Sequence, residues 1–133
     1  MSNFGFSGKL KAGFEQSIEM IQDGLKEQGF AVVSRIDMHS TFKEKINIDF
    51  KNFTILGACN AFFAHQVLVS DPQAGLLLPC NVTVEENVEG ETLVSFVSPT
   101  EMLSLGQLSE NKKIGELAEE VERRLIQVAS KLF

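Results

Sequence analysis

The chain has 133 residues, 44% of them apolar and 23% charged, and a formal net charge of -6. That length fits one domain with a core of its own, built without disulfides or metal. The acidic balance argues against a nucleic-acid surface or an anionic lipid surface, both of which draw affinity from Lys and Arg. Eleven Phe stand beside no Trp and no Tyr, so the aromatic content offers no phenol or indole donor to a polar site. Two Cys do not make a disulfide framework. The opening MSNFGFSGKLKAG has no apolar signal-like run, and no stretch approaches the ~20 apolar residues of a membrane span. A cytoplasmic, reducing setting is the expectation.

Phe4 to Leu10 reads as a short first strand weakened by Gly5 and Gly8. From Ala12 the period changes. Phe14, Ile18, Ile21 and Leu25 form one helical stripe, and Gly29 is the residue just past the helix end. Gly24 inside that helix predicts a close approach, most simply to the sheet. Phe30 to Ile36 is a β-branched strand. Asp37 is positioned to cap a short helix that runs to about Lys45, with His39 in its first turn. Ile46 to Lys51 carries no clear period.

Asn52 to Cys59 is the next strand. Both of its faces are mainly apolar, which predicts a central place in the sheet. Asn60 caps a short apolar helix, Ala61 to about Val69, and Asp71-Pro72 ends it. Gly75 leads into LLLPCNVTV, where Pro79 marks an edge, a bulge or a strand break. Cys80, Val82 and Val84 then point one way, and Asn81, Thr83 and Glu85 the other. Glu86 to Glu91 is a hairpin loop around Gly90, and Thr92 to Val97 returns as the partner strand. Pro99 to Leu105 is a short helical turn. A last amphipathic helix starts near Ser109 and runs to about Leu132. The sum is an α+β fold: one domain with a largely antiparallel sheet packed by two long helices.

The central residues carry a resemblance. GACN at Gly57 to Asn60, Asp71-Pro72, and LLPCNVTV at Leu77 to Val84 resemble the domain-of-unknown-function 302 family. The order of elements agrees along nearly the whole chain. The resemblance implies a curved antiparallel sheet of the TATA-binding-protein-like type with helices on one face, and a homodimer. It implies no activity. Ala61 stands where the family pattern leads one to expect Pro after the Asn, which loosens the helix start and leaves the Asn60 cap intact.

Candidate chemistry gathers in Phe53 to Val84. Cys59 borders a helix N-terminus, a position that favours a thiolate, and Cys80 is a second thiol in the next strand. A thiol-dependent enzyme or redox pair is one reading; two small buried hydrophobes is the plainer one. Asn60 and Asn81 each follow a Cys and offer amides to a polar ligand, against the plainer roles of helix cap and strand edge. His65 completes the candidate ligand-binding set of Cys59, Asn60, His65, Cys80 and Asn81. As a metal site, Cys59, His65, Cys80 and His39 have the ligand types without a zinc spacing, so no metal and no cofactor is expected. Phe62, Phe63, Leu68, Leu76 and Leu77 exceed what a short helix and strand bury alone. They fit core plus a dimer interface better than a pocket for an apolar ligand. The expectation is a small homodimeric ligand-binding or interaction module.

Overall fold

The computed structural model describes residues 4–133. Five strands form one sheet: β1 (Gly5–Leu10), β2 (Ala31–Asp37), β3 (Phe53–Cys59), β4 (Cys80–Glu86) and β5 (Thr92–Val97). Their order is β1-β5-β4-β3-β2, and each neighbouring pair is antiparallel. The helices are α1 (Phe14–Glu27), α2 (Met38–Ile46), α3 (Ala61–Ser70), α4 (Pro99–Met102) and α5 (Lys112–Leu132). Two 3-10 turns, Pro72–Leu77 and Gly106–Glu110, flank the α3 end of the molecule. The α+β architecture is the one expected.

The core lies between α1, α5 and one face of the sheet. That face carries Leu56 and Ala58 from β3, Val82 and Val84 from β4, and Val94 and Phe96 from β5, all buried. From α1 come Ile18, Ile21 and Leu25; from α5 come Ile114, Leu117, Val121, Leu125 and Val128. Each Val, Leu, Ile or Phe among them contributes about 1.5–3 kcal/mol by leaving water. The other sheet face is half-solvated, as antiparallel sheets permit. There the pleat places Ser7, Asn81, Thr83 and Ser95.

Local chemistry explains the element ends. Gly29 has φ 87 and closes α1, where Phe30 N–H reaches the Leu25 carbonyl at 2.9 Å. Gly24 is small for a different reason than expected. A Cβ there would stand 3.2 Å from Val128 Cγ1, so the close approach is α1 to α5, not helix to sheet. Asp37 starts α2 without capping it through its side chain. Its carboxylate instead accepts from Thr54 Oγ1 at 2.7 Å and Arg35 Nε at 3.0 Å, tying β2 to β3. Asn47 takes the left-handed conformation that ends α2, and across the aperiodic stretch that follows Phe50 meets Phe42 edge to face and Phe53 at a tilt.

β3 is an inner strand paired on both sides, next to the middle strand β4. Boundaries differ from expectation at two places. Leu76 and Leu77 belong to a 3-10 turn, because the run from Gly75 begins β structure only after Pro79. The last helix starts at Lys112, capped by the Asn111 side chain on Ile114 N–H at 3.1 Å, and Ser109 sits in the preceding 3-10 turn.

Candidate functional site

The register of β3 and β4 decides what the central residues do together. Ala58 stands opposite Cys80, and Gly57 opposite Asn81. Alternation therefore sends Cys80 to the helix face and Asn81 to the solvated one. Cys59 ends β3 and Asn60 follows it as the cap of α3, its Oδ1 accepting from Phe63 N–H at 3.5 Å. Cys59, Asn60 and Cys80 do meet, around a cavity also lined by Phe30, Phe63 and Leu78. Its volume is about 40 Å³. Ligand pockets run to roughly 300–1,000 Å³, so this cavity holds little more than a water.

The two thiols there are not alike. Cys80 is buried, and burial, helped by the neighbouring Cys59, pushes its pKa up to about 12. It stays a neutral thiol and packs as a small hydrophobe. Cys59 is half-buried and is the more accessible of the pair.

His65 and Asn81 lie elsewhere. His65 is exposed on the outer side of α3, in a shallow cleft with Gln66, Val69, Ser70 and Lys113. Asn81 borders an open cleft of about 280 Å³ on the solvated sheet face, beside Ser7, Thr83 and Ser95. His39 is drawn into the frame, where its Nδ1 accepts from Phe53 N–H at 3.0 Å. Among the described residues, no group of three or more His, Cys, Asp and Glu stands close enough to hold a metal. No helix among them is long and apolar enough to cross a membrane.

The large exposed features are apolar. Helix α3 is mostly apolar and carries no Asp, Glu, Lys or Arg; its polar residues are His65, Gln66 and Ser70. Phe63 and Val67 point into the core. Phe62 is 70% exposed and Val69 is 73% exposed on the opposite side. Phe62, His65 and Val69 fall at i, i+3 and i+7, one outward stripe. Beyond the helix, Leu76 is 80% exposed on its 3-10 turn. It lines an open groove of about 370 Å³ together with Leu77, Leu105 and Leu108. Leu105 ends the stretch read as a short helical turn and Leu108 follows it; nothing local says that they line one groove with Leu76.

Two comparisons bear on kinship. The model of a family described as a domain of unknown function, DUF302, matches residues 6–132. A crystal structure of an uncharacterized conserved DUF302 protein from Bacillus stearothermophilus is similar over 99% of this chain and 100% of that one. Its TM-score is 0.87 at 26% identity. No curated protein matches. With the match spanning nearly every residue, and the same fold in a solved relative, the chain belongs to the DUF302 family.

Proposed function

We propose that this chain is a homodimeric interaction module that joins through the outer face of α3. One observation carries the reading: α3 has no charged residue and buries Phe63 and Val67 on one side, yet leaves Phe62, Leu68 and Val69 exposed on the other. Large apolar side chains exposed together on one helix face mark a partner surface. The outward stripe is also self-complementary. If two copies of α3 cross antiparallel about the point between His65 and Gln66, Phe62 meets Val69 of the second copy, and the reverse. Large then faces small on both sides of the axis. The helix bears no charge, so two chains of net charge -6 approach there without facing carboxylates.

The solvated sheet face suits this role less well. It is mixed, with Ser7, Asn81, Thr83 and Ser95 set among Ile36, Ile55 and Val97, and homodimer interfaces are more apolar than ordinary surface. The cavity at Cys59 and Cys80 is too small to be the module's ligand pocket.

Dilution followed by heteronuclear NMR tests the reading. The amide and methyl signals of Phe62, His65 and Val69 are expected to shift with protein concentration, while those of Ser7, Thr83 and Ser95 hold still. Concentration-dependent shifts on the sheet face, or none anywhere in a chain that sediments as a monomer, would overturn it.

A further inference from the structure

We propose that the cleft between α3 and α5, lined by His65, Gln66, Val69, Ser70 and Lys113, receives the Phe62 ring of a second copy of this chain, with the Lys113 ammonium set against the ring face. This deepens the dimer reading of α3 and rests on it. It brings α5 into the seam and gives the seam a residue that selects its partner.

The occupant follows from the phase of the stripe. An antiparallel crossing between His65 and Gln66 carries the second copy's Phe62 onto Val69, and Val69 is a wall of the cleft. Within its own chain the Phe62 ring meets Phe63 edge to face, with centroids 5.3 Å apart, and is left 70% exposed. The cleft, at about 320 Å³, has room for it. It is also held open before any partner arrives. Asn111 Nδ2 donates to Ser70 Oγ at 3.0 Å, and Asn111 Oδ1 accepts from Ile114 N–H at 3.1 Å. One amide thereby ties the end of α3 to the start of α5, and a preformed seat loses less order on binding.

Lys113 supplies the selection. It is the one charged residue among those lining the cleft, and among the described residues its ammonium has no ion-pair or hydrogen-bond partner. It lies in the first turn of α5, where the helix dipole disfavours a cation, so helix stability gives no reason for a lysine there. An ammonium over an aromatic ring is drawn to the negative ring face, and more strongly once water is excluded. Across the seam, α3 brings no carboxylate to compete for it. Two-fold symmetry makes the exchange reciprocal: each Phe62 enters the other copy's cleft, and the contact forms twice.

The test compares dimer dissociation constants, read by sedimentation equilibrium, for wild type, Lys113→Met, Phe62→Leu and the double variant. Lys113→Met keeps the hydrocarbon stem and removes the charge; Phe62→Leu keeps an apolar knob and removes the ring. Both positions are exposed, so folding is expected to be unaffected. Lys113→Met is expected to raise the dissociation constant about tenfold, since two cation–π contacts are lost, and to have no effect in the Phe62→Leu background. An isotope-filtered NOE measurement on mixed labelled and unlabelled chains is expected to place the Phe62 ring of one copy against Lys113 and Val69 of the other. A dimer in which Lys113→Met has no effect, or weakens both backgrounds alike, overturns this proposal and leaves the α3 seam standing. So does a dimer without the Phe62–Lys113 NOE. A wild type that is monomeric at every concentration removes the α3 reading and this proposal with it.

Discussion

The Glu122 carboxylate of α5 accepts two hydrogen bonds from Thr100 of α4, one from its N–H at 3.1 Å and one from its hydroxyl at 2.8 Å. The Ser98 hydroxyl donates to the same oxygen. One side chain thereby satisfies the start of α4 and pins it to α5. Burial pushes the Glu122 pKa up, but these hydrogen bonds outweigh it, and the group stays below the ordinary glutamate value. A depressed folded pKa adds stability that is complete above the unfolded value and is lost as pH falls through the folded one. Glu122→Gln is therefore expected to lower stability near neutral pH by about 1–2 kcal/mol, the scale of hydrogen bonds to a charged group. The gap from wild type is expected to close as the pH drops below the ordinary glutamate range. Urea unfolding at pH 7 and pH 3 measures both.

Cys59 and Cys80 are expected to separate by reactivity. Burial holds Cys80 as a neutral thiol with a pKa of about 12, while Cys59 is half-exposed. An alkylating reagent at pH 8 is expected to modify one cysteine in the folded protein and two in denaturant. Mass analysis of digested protein identifies which. Rapid labelling of Cys80 in the folded state would mean that the β3–β4 end opens readily.

Gly57 is enclosed on the solvated side of β3. A Cβ there would stand 2.7 Å from Pro79 Cγ and closer still to the Ser34 hydroxyl. Gly57→Ala is expected to cost about 1–3 kcal/mol, as overpacking does. Adding Ser34→Gly relieves one of the two contacts and is expected to recover part of the loss, which a double-mutant cycle of thermal midpoints measures.

Arg124 joins three elements. Its Nε donates to Glu120 at 3.0 Å, its Nη1 donates to the Gln28 carbonyl past the end of α1 at 3.2 Å, and its guanidinium lies 5.1 Å from the Phe63 ring centre. Arg124→Lys keeps the charge but loses the planar fork. It is expected to cost about 1 kcal/mol in denaturant unfolding, through the freed carbonyl and the lost stacking.

Much of the frame was legible in the chain. The stripes of α1 and α5 repeat for three turns or more, so period alone locates them. Asn60 as a cap and Gly29 as a terminator follow from local backbone needs. The run from Gly75 to Leu78 was not legible as a turn, because a short apolar stretch looks alike in a strand and a 3-10 turn. The candidate set divided for a similar reason. Cys59, Asn60 and Cys80 meet because β3 pairs with β4, whereas Asn81 and His65 leave by strand alternation and helical phase. The Glu122 clamp lies 24 residues from Ser98, and the leucine groove joins turns about thirty residues apart in sequence. Such pairings are properties of the packed fold.

Sedimentation equilibrium of the wild type beside Phe62→Glu tests the central claim most directly. The wild type is expected at twice the chain mass, and the variant, altered only at an exposed position, at the single mass with its thermal midpoint unchanged. A wild type that stays monomeric at every concentration, or a variant that remains a dimer, would contradict the assignment of α3 as the seam.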